Sequence, residues 1–377
     1  MKIVEVDSWV AGATHVVRIR DEDGRAGFGQ SACYAYPDAV HSVVGTFREY
    51  LVGQEADRIE DHWQQLYRMG PFRGSIPSAA VSAVDVALWD IKGQRLEVPI
   101  HELLGGRCRD RVRLHMLILG WKDFDELAAS ARSAVEDGFT AVKIDPLPRD
   151  YGSLSVPALT DAIVGAARVV RLEIGREVDL ILELHRSLPA PQVHCVLEAL
   201  VQFAPLFVED PVQIDSISVQ ADLARQSPVP IAQGERLHSI WEFRELLERG
   251  GSHYLRPDVG LAGGISHTRK IAALAEAHNT AVSLHTFSGP VLTAAATHLE
   301  IALPNVATHE WWPTVDEPGA MPGMMTTLRR EGGWLLAPEA PGLGATVEPD
   351  HLEPFEILGR PLHAIPRRTD GSVSFAV

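Results

Sequence analysis

The chain has few cysteines and an excess of acidic over basic residues. Cys33, Cys108 and Cys195 are scattered and show no Cys-x-x-Cys spacing, which argues against a disulfide framework and against a thiolate zinc site. Lys and Arg total 34 against 50 Asp and Glu, a net charge of −16. We therefore expect neither nucleic acid nor an anionic membrane surface as a partner, because phosphate binding requires a basic face.

Long apolar runs are also lacking. No stretch approaches the roughly 20 apolar residues of a membrane span, and the start, MKIVEVDSWV, has the pattern of a strand and not of a signal peptide. We therefore expect a cytoplasmic protein. Its 377 residues suffice for a (β/α)₈ barrel of about 250 residues and a second domain of about 100.

The pattern of the chain changes near residue 110. Before it, alternating segments at Lys2–Val10 and His15–Arg20 predict antiparallel strands, and Ser78–Gly93 predicts a long helix. After it, eight short apolar strands alternate with amphipathic helices, which indicates a parallel α/β barrel. We predict an N-terminal α+β capping domain, a (β/α)₈-type barrel and a Gly- and Pro-rich segment packing back on the capping domain, at residues 1–110, 111–320 and 321–377.

Acids and one histidine recur at the ends of successive predicted strands. The intervals between them are 26, 26, 23, 27 and 25 residues, for Glu183, Glu209, Glu235, Asp258, His285 and Glu310. One strand, one helix and two turns require about this length. A chemical residue at each strand's carboxyl end is the arrangement of a barrel active site, so we predict an enzyme.

The three glutamates of this series predict a metal site. Acids gathered at one barrel rim repel each other unless a cation joins them. A hard divalent cation held by Glu183, Glu209 and Glu235 would leave coordination sites for a substrate and would stabilise the enediolate formed by removing a proton α to a carboxylate. The alternative is a set of rim acids without a metal.

Asp258 and His285 end neighbouring predicted strands. An aspartate that accepts the proton of one ring nitrogen fixes the tautomer and raises the basicity of the other nitrogen, which gives a general base. The alternative is a structural histidine.

Several motifs follow one another in a fixed order: ALWDIKG, PIHELLGG, AVKID, FVEDPV, IAQGERL, LRPDVGLAGG and VSLHTFSGP. Together they resemble the enolase superfamily and its mandelate racemase subgroup. Within it, HWQQLYRMGPFRG and the strand end ELH resemble the galactonate dehydratase type of acid-sugar dehydratase. The resemblance spans nearly the whole chain. It implies a modified TIM barrel completed by a capping domain, with one Mg²⁺ per subunit and a His or Lys base.

Further roles follow from the resemblance. His285 with Asp258 would remove the α-proton, and His185 would protonate the hydroxyl leaving the neighbouring carbon; the alternative is a surface histidine. His185 shares a face with Glu183 if the strand continues. Glu310 would donate a hydrogen bond to the substrate carboxylate if burial raises its pKa, or would be a rim acid.

Two positions depart from the family pattern. The second barrel strand carries Lys143-Ile144-Asp145 where the mandelate racemase subgroup has Lys-x-Lys, which weakens a two-base racemase interpretation. Lys143 either holds the substrate carboxylate or forms a salt bridge with Asp145. Glu183 stands where aspartate is usual, and the extra methylene displaces the carboxylate by roughly 1 Å.

Substrate specificity is expected from loops of the first module. The candidate substrate-binding residues are Tyr36, Arg73 and Asp145; an arginine there either binds a distal hydroxyl or carboxylate or is a solvated charge. We predict a homo-oligomeric, Mg²⁺-dependent dehydratase that converts a galactonate- or gluconate-like aldonate into a 2-keto-3-deoxy acid. The alternatives are a racemase or epimerase of a 2-hydroxy acid and a catalytically inactive binding homologue.

Overall fold

The computed structural model describes residues 1–357, 365 and 367–374. It begins with a three-stranded antiparallel sheet whose strands lie in chain order: β1 (Ile3–Ala11), β2 (Thr14–Asp21) and β3 (Ala26–Ser31). Gly12, with φ of 61°, supplies the positive φ in the two-residue connection between β1 and β2. Four helices follow: α1 (Pro37–Leu51), α2 (Ile59–Arg68), α3 (Ser75–Leu96) and α4 (Ile100–Leu103).

Helix α3 packs directly on this sheet. A Cβ atom at Gly29 would lie 1.9 Å from the backbone oxygen of Ala83, so only glycine permits the observed approach of strand and helix. The predicted antiparallel strands and the long helix are both present.

The next part of the chain is a barrel of eight strands. They are β4 (Arg111–Ile118), β5 (Ala141–Ile144), β6 (Asp179–Glu183), β7 (Phe207–Glu209), β8 (Ile231–Gln233), β9 (Tyr254–Leu255), β10 (Ala281–Val282) and β11 (His309–Trp311). Neighbouring strands from β4 to β10 pair in parallel, and β11 pairs in parallel with β4. A parallel bridge between Val282 and Val306 completes the ring. The predicted eight-stranded architecture is confirmed.

Seven helices connect these strands: α5 (Phe124–Glu136), α6 (Val156–Ile174), α7 (Ala190–Leu200), α8 (Ile217–Gln226), α9 (Ile240–Glu248), α10 (Gly264–Ala277) and α11 (Pro290–Ala302). Four of them begin at a side chain that accepts a hydrogen bond from the first helical turn, at Asp123, Ser155, Ser216 and Ser239. Such N-caps satisfy backbone donors that the helix leaves unpaired, so four of the seven loops after a strand's carboxyl end have a defined last residue.

The segment after β11 contacts both earlier parts of the chain. It contains α12 (Pro313–Asp316), β12 (Met324–Thr326), β13 (Arg330–Glu331), β14 (Trp334–Leu336) and β15 (Ala345–Val347). Strand β14 extends the barrel sheet by pairing antiparallel with β4. The backbone N–H of Leu343 donates to Asp90 on α3, so the segment also packs on the first module. The domain boundaries at residues 110 and 320 stay a prediction.

None of the helices in the described residues combines the length and the apolarity required to cross a bilayer.

Candidate active site

The acids predicted from the sequence meet at the carboxyl-terminal end of the barrel strands. Glu183 and Glu209 lie directly opposite each other in the register of β6 and β7, and Asp258 and His285 form a parallel bridge. Parallel strands bring their carboxyl ends to one edge. The spacing in the sequence therefore corresponds to one shared site.

The three glutamates form a cluster that fits a divalent cation. One oxygen from each of Glu183, Glu209 and Glu235 lies within 4.8 Å of the others, and all three side chains are buried. Among the described residues, the polar partner of Glu183 Oε2 and of Glu209 Oε2 is the Lys143 ammonium. Three buried carboxylates this close together are costly unless positive charge joins them, so the donor set suits a hard metal ion. The glutamate at position 183 does not prevent this arrangement.

Lys143 lies against the same cluster. Its Nζ atom is 3.0 Å from Glu183 Oε2, 2.7 Å from Glu209 Oε2 and 2.7 Å from Glu310 Oε2. Burial alone would lower the pKa of Lys143, but these carboxylates outweigh it and raise the pKa. The expected alternative of a Lys143–Asp145 salt bridge is wrong, because the ammonium is enclosed by glutamates of other strands.

Arg256 is a site residue that the sequence analysis missed. Its side chain is fully buried; Nε donates to Glu209 Oε1 and Nη2 donates to Glu310 Oε2, both at 2.6 Å. It follows directly after the end of β9 and lies two residues before Asp258. The sequence signal for Arg256 was its position, at the end of a strand whose neighbours lead to Glu235 and His285.

Glu310 lies between two basic side chains: its Oε2 atom is 2.7 Å from Lys143 Nζ and 2.6 Å from Arg256 Nη2. Burial raises its pKa, but Lys143 and Arg256 outweigh burial and hold the pKa well below its usual range. These contacts favour an ionised acceptor at Glu310 over the predicted donor, and its role toward a substrate carboxylate stays a prediction. Its Oε1 atom accepts no hydrogen bond from the described residues.

His285 and Asp258 form the predicted pair. Nδ1 of His285 lies 2.5 Å from Asp258 Oδ2, and Nε2 lies 3.4 Å from Glu235 Oε2. Burial lowers the pKa of His285, but the Glu235 and Asp258 carboxylates outweigh it and raise the pKa. The bond to Asp258 fixes the tautomer, which leaves Nε2 as the basic nitrogen at the site.

A second Asp–His pair lies at the ends of β5 and β6. His185 Nδ1 is 2.8 Å from Asp145 Oδ2. Glu183 and Asp145 raise the pKa of His185 to about 9, against the lowering effect of burial. The condition for a shared face of His185 and Glu183, that the strand continues, is not met: β6 ends at Glu183, and His185 has φ of 44°. The residue reaches the site through a turn in which its N–H donates to Glu183 Oε1 at 2.8 Å.

Arg186 and Arg236 also belong to the site and were not predicted. Nη1 of Arg186 lies 2.5 Å from Asp210 Oδ2 and 2.7 Å from Glu235 Oε1. Nη2 of Arg236 lies 3.1 Å from Glu235 Oε1 and donates to the Tyr34 hydroxyl at 2.5 Å. Both arginines orient Glu235, the third carboxylate of the cluster.

These groups surround one cavity of about 220 Å³. Its lining includes both histidines and Asp145, Lys143, Glu235 and Glu310, with Tyr34, Leu117, Leu119, Arg236, Phe287 and Ile357. Tyr36 and Arg73 are not among the lining residues: Tyr36 is 57% exposed, and the exposed Arg73 side chain donates to the carbonyls of Gly70 and Phe72. The structure therefore does not support these two as substrate-binding residues. Tyr34 and Arg236 line the cavity instead.

Comparison with known proteins agrees with this arrangement. Residues 6–105 match the N-terminal domain of mandelate racemase and muconate lactonizing enzyme, and residues 126–351 match the enolase C-terminal domain-like family. A D-galactonate dehydratase of Ralstonia nicotianae is 35% identical over 340 residues, 88% of each chain. A D-galactonate dehydratase of Variovorax paradoxus is 33% identical and covers 93% of this chain and 94% of its own.

The solved structures include a putative galactarate dehydratase from Agrobacterium radiobacter with bound Na and L-malate. It covers 100% of both chains with a TM-score of 0.91 at 26% identity. A putative dehydratase from Salmonella has a TM-score of 0.86 at 29% identity, covering 92% of this chain and 96% of its own.

Proposed function

Because the chain belongs to the enolase superfamily, with both domains of its mandelate racemase and muconate lactonizing enzyme group, we propose that it is a hydro-lyase that dehydrates an acid sugar. The observation that carries this proposal is the presence of two Asp–His pairs around one cavity. His185 and His285 follow β6 and β10, which are four strands apart in an eight-stranded barrel. They therefore face the cavity from opposite sides, where one can take a proton and the other can give one.

The metal of this site is proposed to be Mg²⁺, one per subunit. Glu183, Glu209 and Glu235 would hold it, and the close approach of their three buried carboxylates, within 4.8 Å of one another, supports this assignment. When bound, the ion would supply positive charge that stabilises the enediolate of the substrate.

The chain's own residues perform the proton transfers. His285, oriented by Asp258, removes the proton at C2 of the aldonate. Lys143, which lines the cavity, places fixed positive charge beside the forming enediolate, which is favourable in a buried site. His185 gives a proton to the departing 3-hydroxyl, and the resulting enol tautomerises to a 2-keto-3-deoxy acid.

The substrate class is proposed from the relatives. Both relatives described above carry the name D-galactonate dehydratase, which favours a galactonate- or gluconate-like aldonate. The ionised Glu310, with Oε1 free of donors, would accept a hydrogen bond from a substrate hydroxyl.

The alternatives from the sequence have less support. A racemase that uses Lys143 as second base needs a neutral amine, whereas three carboxylates lie within 3.0 Å of its ammonium and raise the pKa. An inactive binding homologue would have no need for two oriented histidines beside a three-carboxylate cluster.

An acid-sugar panel tests the proposal. Purified protein with Mg²⁺ should form a 2-keto-3-deoxy acid from D-galactonate or a related aldonate, measured by a keto-acid assay. Absence of keto acid with every aldonate in the panel, under conditions where Mg²⁺ binds, would overturn it. We also propose that the protein is a homo-oligomer, which light scattering would test. Its cytoplasmic location stays a prediction.

A further inference from the structure

Both carboxylate oxygens of Asp145 are hydrogen-bonded within the protein. Oδ1 accepts the backbone N–H of Leu147 at 2.9 Å, and Oδ2 lies 2.8 Å from His185 Nδ1. Its backbone carbonyl accepts the Trp121 indole N–H at 3.1 Å. A carboxylate fixed at both oxygens is not free to follow a substrate. The expectation that Asp145 binds substrate is therefore replaced by a different role.

The hydrogen bond between Asp145 and His185 determines which ring nitrogen of His185 faces the cavity. Nδ1 is taken by Asp145, and the backbone N–H of His185 is taken by Glu183 Oε1 at 2.8 Å. Both Asp145 and His185 line the cavity. Nε2 is therefore the ring nitrogen left for a ligand.

We infer that Asp145 is a positioning residue that makes His185 the proton donor for the leaving hydroxyl. The inference rests on the proposed dehydration. His285 first removes the C2 proton, which leaves the C2–H electrons in the enediolate. As these electrons form the C2=C3 bond, the C3–O bond breaks and the Nε2 proton of His185 passes to the oxygen, which leaves as water. His285 keeps the C2 proton, and the Nδ1 proton of His185 stays in its bond to Asp145. His285 then releases its proton to solvent, and His185 takes up a proton from solvent.

The isosteric change Asp145→Asn separates this role from a merely structural one. The side-chain amide of asparagine has one oxygen, which must face the Leu147 N–H. The opposite orientation would place the amide NH₂ against that N–H, two donors in contact. The amide NH₂ then faces His185 and donates to Nδ1. A ring whose Nδ1 accepts a hydrogen bond is a neutral imidazole, and its Nε2–H is a very weak acid. The shape of the site is kept while proton donation is lost.

The test compares two leaving groups. On D-galactonate, Asp145→Asn should lower kcat by roughly 10²–10⁴-fold with KM little changed, because that is the usual contribution of a general acid. On 3-deoxy-3-fluoro-D-galactonate the loss should be below about tenfold, because fluoride leaves with far less need of a proton. Asp150→Asn, an exposed change in the same loop, is the matched control and should behave as the native protein on both substrates.

A second variant guards against simple loss of folding. His185→Asn should likewise lose far more kcat on D-galactonate than on the fluoro substrate. The double variant Asp145→Asn/His185→Asn should have a kcat no lower than that of His185→Asn alone, since the two residues act as one unit. Equal losses on both substrates, or additive losses in the double variant, would overturn the positioning role. If native protein dehydrates D-galactonate and Asp145→Asn does so equally well, this inference fails while the proposed function stands. If native protein yields keto acid from no aldonate, the proposed function itself has failed.

Discussion

Glu183 and Glu209 face each other across neighbouring strands, and each presents its Oε2 atom to the Lys143 ammonium at 3.0 and 2.7 Å. The two buried carboxylates, with oxygens within 4.8 Å of each other, repel each other strongly without a cation. The ammonium offsets part of this repulsion. A divalent cation held by the cluster would contact the same oxygens, so metal binding and the position of Lys143 are coupled.

A metal requirement is the first prediction. Chelator-treated protein should lose dehydratase activity and regain it with Mg²⁺, because the three-carboxylate cluster is then filled again. Glu235→Gln should weaken Mg²⁺ binding measured by calorimetry, since it removes one of three charged ligands. Glu245→Gln, a change on the exposed side of α9, should leave the affinity unchanged. Full activity in excess chelator with no detectable metal would contradict the assignment.

The fold was predictable because the barrel repeats one simple pattern. An apolar strand and an amphipathic helix recur along the barrel, and six of the eight strands lead to an acid or a histidine of the series; the eight strands follow from that repetition. The part after Asp316 was less predictable, since strands of two or three residues such as β13 and β14 are too short to show alternation. That β14 would pair with β4 was not visible in the sequence.

The site was predictable where position along a strand decides the role. Glu209 and His285 were found because the ends of parallel strands converge. Arg256 was not, because its guanidinium reaches acids 47 and 54 residues away in the chain, and nothing local marks those partners. Asp145 was assigned to the substrate because its bond to His185 depends on a left-handed turn that the strand pattern does not show.

Arg256 is predicted to stabilise the folded protein. Arg256→Met would leave Glu209 and Glu310 without a buried partner, and removing one member of a buried ion pair costs roughly 3–5 kcal/mol. Urea denaturation should show this loss of unfolding free energy. Arg249→Met, which breaks an exposed pair with Glu245, should cost less than about 1 kcal/mol. Similar costs for the two variants would contradict the role of Arg256.

The two histidines should separate the reaction into two steps. In deuterated water, His185→Asn should still exchange the C2 proton, because the Asp258–His285 base remains, while dehydration falls by roughly 10²–10⁴-fold. His285→Asn should abolish both exchange and dehydration. His278→Asn, at an exposed position after α10, should affect neither. Near-native dehydration by His285→Asn would show that the base has been assigned wrongly.

Asp85 is predicted to make stability depend on pH. It is buried between α3 and α10, where Oδ2 accepts the Ser266 N–H at 3.0 Å and Oδ1 accepts no hydrogen bond from the described residues. Burial raises its pKa from 3.8 to about 7. The folded state therefore holds this proton more tightly than the unfolded chain does, so the contribution of Asp85 is complete below about pH 4 and is lost as the pH rises to about 7.

The variant Asp85→Asn should flatten that part of the pH profile, because an amide does not ionise. The measurement is the unfolding free energy in urea at intervals from pH 4 to pH 8, for native protein and for Asp85→Asn. The native curve should fall relative to the variant across this range and run parallel to it above about pH 7. Asp161→Asn, at an exposed position on α6, should track the native curve throughout. A difference between native protein and Asp85→Asn that is constant from pH 4 to pH 8 would show that Asp85 does not titrate in this range.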